Sequence, residues 1–222
     1  MKKISIETKI TNRVLEVRHW INSKPWDKHP RLQKVLDSVV CDKTQMHENV
    51  KNSIISGFMK DAVAAALRYD YDKFKLRGSG FQSIFGKQGI GKTTFLRNLV
   101  GADWGGNKLW FGEGFRLNPN SKNDVLEAQK YWIVELAELP VSEKKLLEIK
   151  QFLIKPSNKI SLTKTKEIEI WNRTVYMATT NEERFLSEIP VVKFEDISHI
   201  DMQQVWAEVK WDLIGGASYD NG

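Results

Sequence analysis

One short segment of the chain has the spacing of a phosphate-binding loop. Residues 86–93 read Gly-Lys-Gln-Gly-Ile-Gly-Lys-Thr, which fits the pattern Gly-x-x-x-x-Gly-Lys-Ser/Thr. Glycines let such a backbone curve around an anion, so that its N–H groups and a following helix terminus face phosphate oxygens. In this arrangement Lys92 reaches the β and γ phosphates of ATP and Thr93 binds Mg²⁺. The residues expected to bind ATP and Mg²⁺ are Gly86, Lys87, Gln88, Gly89, Ile90, Gly91, Lys92, Thr93 and Thr94.

A second segment places two carboxylates at the end of an apolar run. Residues 131–139 read Tyr-Trp-Ile-Val-Glu-Leu-Ala-Glu-Leu. In a Walker B element one carboxylate organises the Mg²⁺ shell and another polarises the attacking water. Glu135 is the candidate for Mg²⁺ and Glu138 for water, although the usual acidic pair is adjacent and here Ala137 precedes Glu138. The sequence therefore supports the catalytic role of Glu138 more than the metal role of Glu135, and two exposed glutamates at a strand end are the alternative.

A third segment, residues 175–181, ends an apolar strand in a polar amide. It reads Val-Tyr-Met-Ala-Thr-Thr-Asn. In additional-strand ATPases such an amide, called sensor 1, lies beside the γ phosphate, where Asn181 would help to place the water. Thr-Thr-Asn also suits a turn, so the assignment depends on its order after the other two segments.

Residues 159–171 predict a β-hairpin with a basic tip. Apolar residues alternate on both sides of Lys164 and Lys166, and Lys159 begins the segment. Lysines at a hairpin tip can contact nucleic-acid phosphates without reading the sequence. The alternative is a surface hairpin with solvated lysines.

Strands and helices must position these groups, and their pattern predicts an α/β core with a parallel sheet. Apolar runs predict strands, and spacing near 3.6 residues predicts helices. A strand before residues 86–93 and a helix after them favour a phosphate loop over a structural glycine turn. The predicted strands are Phe81–Phe85, Tyr131–Leu136 and Thr174–Ala178, and the predicted helices are Thr93–Val100 and Ser142–Leu153.

The first part of the chain, residues 1–80, is predicted to be a separate and mainly helical subdomain. Val50–Leu67 has apolar residues at helical spacing, and another helix is expected to start near Pro30 and Arg31. Residues 81–222 would then form the nucleotide-binding core.

Composition limits the class of protein. The chain has 222 residues, of which 41% are hydrophobic, and a single cysteine, Cys41, so a disulfide within the chain is impossible. Its net charge is +6, with the basic excess in the amino-terminal and central parts and an acidic excess in residues 182–222, which suits a polyanionic partner. Neither a signal sequence nor a membrane-spanning run is visible, so we expect a soluble cytoplasmic protein.

With these motifs in place, the chain resembles the virulence-associated protein E ATPases of phages, pathogenicity islands and other bacterial mobile elements. The resemblance runs from roughly Trp20 to Trp211. The segments that carry it are Lys24-Pro-Trp-Asp-Lys-His-Pro-Arg-Leu32, Gly86–Leu96, Leu99-Val-Gly-Ala-Asp-Trp104, Trp132-Ile-Val-Glu-Leu-Ala-Glu-Leu139, Glu148-Ile-Lys-Gln-Phe-Leu153 and Ala178-Thr-Thr-Asn-Glu-Glu-Arg-Phe-Leu186. It implies an AAA+-like superfamily 3 helicase fold, in which inserted hairpins line the channel of a homo-oligomeric ring, with a hexamer and a primase partner as expectations.

One departure from the family concerns arginine fingers. In the family, the sensor asparagine is usually followed by a stretch with two arginines. In this chain residues 182–192 form a shorter segment, and Arg184 is its single arginine. Such arginine fingers increase the rate of nucleotide hydrolysis by a factor on the order of 10³–10⁵. ATP hydrolysis is therefore less well supported by the sequence than ATP binding.

The leading interpretation is an ATP-dependent helicase or translocase core that acts on single-stranded or forked DNA in the replication of a phage or mobile element. A non-hydrolysing, nucleotide-gated DNA-binding or interaction protein is the first alternative. A small-molecule phosphotransferase is the second, and it requires a lid and an acceptor pocket that the sequence does not identify.

Overall fold

The computed structural model describes residues 6–67, 82–101, 110–137, 139, 142–155, 157–161, 167–181 and 188–214. The helices are α1 (Ile6–Ile21), α2 (Leu32–Asp37), α3 (Glu48–Leu67), α4 (Lys92–Leu99), α5 (Lys122–Ala128), α6 (Glu143–Leu153) and α7 (Met202–Ile214). The strands are β1 (Val39–Cys41), β2 (Gln82–Phe85), β3 (Phe111–Phe115), β4 (Ile133–Ala137), β5 (Ser157–Ser161), β6 (Glu167–Trp171), β7 (Val175–Thr180) and β8 (Glu188–Phe194).

The main sheet is mostly parallel and has the strand order β1-β8-β2-β7-β4-β3. Strand β7 pairs in parallel with β2 on one side and with β4 on the other, while β1 pairs antiparallel with β8. The carboxyl ends of the parallel strands share one edge of the sheet, and ligands of open α/β sheets bind there. The predicted mixed α/β fold with a mostly parallel sheet and flanking helices is confirmed.

The predicted strands and helices in the core are present with small shifts at their ends. Strands β2, β4 and β7 and helices α4 and α6 correspond to the five predicted elements. Strands β1, β3 and β8 were not predicted from the sequence. Strand β3 contains Gly112 and Gly114, whose lack of a side chain lowers strand propensity, and β8 contains Pro190.

Described residues on both sides of the predicted domain boundary share one hydrophobic core. Met59 and Val63 of α3 belong to the same buried cluster as Ile84 of β2 and Val205 of α7. Strand β1 also extends the main sheet at its edge. The boundary itself, at residues 80 and 81, lies outside the described residues, and the division into two domains stays a prediction.

Four tryptophans pack together in this core, of which three are buried and Trp20 is partly buried. The rings of Trp20 and Trp110 lie 4.8 Å apart and those of Trp132 and Trp206 lie 4.7 Å apart, with Trp20 in edge contact with Trp132. Both Trp132 and Trp206 are fully buried, and their indole N–H groups donate to the carbonyls of Ala62 in α3 and of Leu99 in α4, respectively. The first hydrogen bond ties α3 to the residue that precedes β4, and the second ties α7 to α4, while both indoles bury large apolar areas.

The predicted β-hairpin is present as a separate antiparallel pair formed by β5 and β6, and its tip, residues 162–166, lies outside the described residues. Arg13 of α1 is fully buried beneath the hairpin. Its guanidinium donates to the carbonyls of Arg173, at 2.7 Å, and Gln129, at 3.0 Å. Arg173 follows β6, so α1 fixes the chain where the hairpin rejoins the main sheet.

Among the helices in the described part of the chain, none is both long enough and apolar enough to cross a membrane.

Candidate functional site

The segment 86–91 connects β2 to α4 at the carboxyl edge of the sheet. Gly91 occupies the amino-terminal cap of α4 with a φ of 96°, which glycine adopts readily and other residues rarely do. A Cβ atom on Gly86 would lie 2.4 Å from the carbonyl oxygen of Val191 in β8. Both positions therefore require glycine, one for conformation and one for space. The loop directs the amino terminus of α4, with its partial positive charge, toward this edge.

Lys92 begins α4 and folds back over the loop. Its ammonium donates to the carbonyls of Gly86, at 2.6 Å, and Lys87, at 3.0 Å, and to Oδ1 of Asn181, at 3.0 Å. Burial lowers the pKa of Lys92, and the nearby carboxylate of Glu135 opposes that shift. The ammonium group of Lys92 is thus held between the glycine loop and Asn181, the residue that follows β7.

Glu135 in β4 is buried and accepts hydrogen bonds from three elements. Its Oε1 accepts from the hydroxyls of Thr93, at 2.7 Å, and Thr179, at 2.8 Å, and its Oε2 accepts from the backbone N–H of Gly114, at 3.2 Å. Only 2% of the residue is exposed. A buried carboxylate is costly unless it is satisfied by donors, and here helix α4, strand β7 and strand β3 each supply one.

The structure brings together the predicted residues Lys92, Thr93, Glu135 and Asn181, and β7 is the reason. Because β7 lies between β2 and β4, Asn181 emerges between the glycine loop and the carboxylate of Glu135. A cation, a hydroxyl, a carboxylate and an amide therefore converge at one edge of the sheet.

Other predicted residues are not tested by this geometry. Glu138, Arg184, Lys164 and Lys166 lie outside the described residues. Lys159 is exposed on β5, in register with Glu169 of β6. It lies in the body of the hairpin beside an acidic neighbour.

Two donors to the carboxylate of Glu135, Thr179 and Gly114, were not predicted from the sequence. Thr179 lies within the segment 175–181, but only the pairing of β7 with β4 shows that its hydroxyl faces Glu135. Gly114 has a φ of 69° next to a register shift in β3, which aims its N–H at the same carboxylate. The two glycines of β3 were the available signal, because glycine in a strand often marks a bulge.

A cleft of about 500 Å³ opens beside this site, at the carboxyl ends of β3 and β4. Leu117, Leu136 and Ile149 supply apolar lining, and Asn118 and Lys145 supply polar groups. The cleft adjoins Ala137, the residue before Glu138, so it lies where a second reactant could approach.

Fold and site together define a mixed α/β protein whose polar site is built on a glycine loop at the carboxyl edge of a mostly parallel sheet. The family model of the virulence-associated protein E-like domain matches residues 21–213. The chain belongs to this family.

Two solved structures are similar to the chain, both described as apo forms of the NrS-1 C-terminal region. The first has 17% sequence identity and a TM-score of 0.49, and the second has 16% identity and a TM-score of 0.45. Each match covers 85% of this chain and 45% of the solved chain, so this chain spans less than half the length of those structures. No curated protein shows significant sequence similarity.

Proposed function

We propose that the chain is a P-loop ATPase of the AAA+-like, superfamily 3 helicase type that serves as a DNA helicase or translocase core. The main support for this proposal is the hydrogen bond from the ammonium of Lys92 to Asn181, which links the glycine loop to the end of β7. In the proposed fold a strand that ends in a polar residue separates the phosphate-loop strand from the Walker B strand. Here β7 occupies that place, between β2 and β4.

The residues present fit ATP and Mg²⁺. The hydroxyl of Thr93 and the carboxylate of Glu135 are oxygen donors 2.7 Å apart, and Mg²⁺ prefers oxygen ligands shared between protein and phosphates. Bound Mg²⁺ would neutralise charge on the phosphates. We assign Thr93 and Glu135 to hold it, and Lys92 to balance phosphate charge by exchanging a loop carbonyl for a phosphate oxygen.

Hydrolysis requires a base, and we assign that role to Glu138. It would accept a proton from the attacking water, while Asn181 orients that water by hydrogen bonding. Glu135 is a poorer base because three donors already bind its carboxylate oxygens. Arg184 is the remaining candidate for charge stabilisation at a subunit boundary.

The DNA part of the proposal is supported by charge and by the hairpin. The chain carries a net charge of +6, and Lys164 and Lys166 lie in the sequence between the paired strands β5 and β6. We propose that these lysines contact the backbone of single-stranded or forked DNA inside a homo-oligomeric ring, with a hexamer as the expected form. Family membership supports a role in replicating a phage or other mobile element in the bacterial cytoplasm, together with a primase.

Two other functions compete with this one. A non-hydrolysing, nucleotide-gated DNA-binding protein would keep Lys92 and lack a working finger. A small-molecule phosphotransferase gains some support from the cleft beside β3 and β4, which offers an acceptor pocket of about 500 Å³.

Phosphate release with and without single-stranded DNA tests the proposal. The helicase interpretation predicts Mg²⁺-dependent release that DNA stimulates in the parent and that is lost in Glu138→Gln. Release that DNA does not stimulate would contradict the helicase interpretation. ATP binding without release would fit either alternative, because a phosphotransferase passes the γ phosphate to its acceptor and not to water. Sizing with a non-hydrolysable ATP analogue and DNA should show a ring.

A further inference from the structure

The loop formed by residues 24–31, which joins α1 to α2, lies away from the candidate site. It packs on α7, whose Trp206 donates to the carbonyl of Leu99 at the end of α4. Since α4 begins at the glycine loop and has eight residues, the two ends of α4 are about 12 Å apart. The proposed ATPase site therefore leaves this loop without a role.

Three buried polar side chains of α7 hold the loop. Gln203 donates to the carbonyl of Lys24 at 2.9 Å, and Gln204 donates to that of Pro25 at 3.0 Å and accepts from the N–H of Asp27 at 2.9 Å. Glu208 accepts from the N–H groups of Arg31, at 2.6 Å, and Leu32, at 2.9 Å. This face of α7 thus uses buried polar side chains, where apolar ones could have packed, to hold a loop that is mostly exposed.

Contacts within the loop fix it further. Arg31 donates to both carboxylate oxygens of Asp27, at 2.7 and 2.8 Å, and this hydrogen-bonded pair holds the pKa of Asp27 far below its usual range. The indole of Trp26 donates to the carbonyl of His29 at 3.2 Å. Lys28 has a φ of 67°, a conformation uncommon for a residue other than glycine. Such a conformation persists only where its surroundings determine it.

The fixed loop presents cations beside an aromatic pair. Lys24 and Lys28 are exposed, whereas Asp27 is neutralised by Arg31. The ring of Trp26 lies 5.9 Å from that of Trp211 in α7, and 37% of Trp211 is exposed. Exposed lysines beside a tryptophan are the combination that binds single-stranded nucleic acid, since lysines contact phosphates and unpaired bases stack on the ring.

We infer that the 24–31 loop and Trp211 form a second contact surface for single-stranded DNA, separate from the hairpin tip. The inference rests on the proposed function for its DNA partner. Because the loop is already fixed, binding costs little conformational entropy there. Duplex DNA would not offer unpaired bases to stack on Trp211. An acidic protein could bind through the lysines alone, without Trp211.

The test compares single-stranded DNA affinity across a salt series for matched variants. Lys24→Ala with Lys28→Ala should weaken binding and lower the slope of log affinity against log salt by about 1.4 units, since each phosphate contact on a single strand contributes about 0.7. The control, Lys43→Ala with Lys144→Ala, removes the same charge from exposed lysines outside the loop and should leave the slope close to that of the parent. Trp211→Leu should weaken binding about fivefold or more, and Trp211→Phe about twofold at most.

The outcomes separate this inference from the proposed function. If the parent does not bind single-stranded DNA at low salt, both fail. If the hairpin-tip variant Lys164→Ala with Lys166→Ala loses affinity while the loop variants match the Lys43 and Lys144 control, only the second surface is wrong. If affinity falls in Lys24→Ala with Lys28→Ala but not in Trp211→Leu, the surface is a general polyanion site. That result would overturn the assignment to single strands.

Discussion

Thr93 and Glu135 are joined by a hydrogen bond of 2.7 Å, although they belong to a helix and a strand that are far apart in the sequence. The bond places the first turn of α4 against the middle of β4. The same carboxylate oxygen accepts from Thr179 at 2.8 Å, so two hydroxyls converge on one atom. We propose different roles for the two glutamates of the segment 131–139, with Glu135 as the metal and positioning group and Glu138 as the base.

The two glutamates should respond differently to the same substitution. Glu138→Gln should bind Mg-ATP with the affinity of the parent and hydrolyse it at least about 10²-fold more slowly, because the base is lost. The Glu135→Gln variant should need a higher Mg²⁺ concentration than the parent to reach the same ATP affinity. Calorimetric titration at several Mg²⁺ concentrations, with single-turnover hydrolysis, checks both. If hydrolysis survives in Glu138→Gln and only Glu135→Gln abolishes it, the roles are reversed.

Thr93→Val and Thr179→Val form a matched pair of substitutions. Each removes one hydroxyl donor from the buried carboxylate of Glu135, so each should cost about 1.5–3 kcal/mol of unfolding free energy, as for hydrogen bonds to charged groups. Only Thr93→Val should also raise the Mg²⁺ requirement for ATP binding. Urea unfolding and Mg²⁺ titrations measure the two effects. Equal Mg²⁺ dependence in the two variants would argue against a metal role for Thr93.

Arg13 should stabilise the base of the hairpin. Arg13→Met would leave the carbonyls of Gln129 and Arg173 without this donor, so we expect a loss of at least about 2 kcal/mol in unfolding free energy. Burial lowers the pKa of Arg13 to about 9, so the group is charged at neutral pH. Arg13→Lys should recover only part of the loss, since an ammonium lacks the guanidinium fork. Full recovery by lysine in urea unfolding would contradict this account.

Cys41 provides a reporter for the sheet edge. Burial raises the pKa of its thiol to about 11, so the native protein should react slowly with iodoacetamide at pH 8 and about tenfold faster for each pH unit up to about 11. Because the native state favours the protonated thiol, this group should also reduce stability as the pH rises from about 9 to about 11. In urea the reaction should level off near pH 9. A native profile that also levels off near pH 9 would show that the thiol is exposed.

Much of the site could be predicted from the sequence because its groups lie in local motifs. Lys92 and Thr93 follow a glycine pattern, and Glu135 and Asn181 end apolar runs that form buried strands. Their contacts follow once parallel strands are aligned at one edge. Thr179 could not be found in this way, because its role depends on which strand lies beside β7.

The fold was predictable where a short buried strand is largely apolar, as in β4 and β7, or leads directly into the glycine loop, as in β2. It was not predictable where tertiary pairing overrides local preference. Strand β8 carries Pro190 and Lys193, and it forms because its backbone pairs with β2 and β1. Most of the amino-terminal helices were likewise expected, but their shared core with the sheet depends on packing of residues distant in the sequence, such as Trp20 with Trp110.

The hairpin tip should contribute electrostatically to DNA binding. Lys164→Ala with Lys166→Ala should lower the slope of log affinity against log salt for single-stranded DNA by about 1.4 units and abolish DNA stimulation of phosphate release, while ATP affinity is unchanged. Fluorescence titrations at several salt concentrations measure the slope. Parallel salt plots for variant and parent would mean that the lysines are only solvated.

Calorimetric titration of Mg-ATP into the parent protein and into Lys92→Ala tests the central claim most directly, because Lys92 joins the glycine loop to Asn181 and should balance phosphate charge. The parent should show one saturable site that requires Mg²⁺. Lys92→Ala should remain folded by circular dichroism and lose most of the affinity. Equal affinity in a folded Lys92→Ala variant, or the absence of binding to the parent, would contradict the assignment of this edge of the sheet as an ATP site.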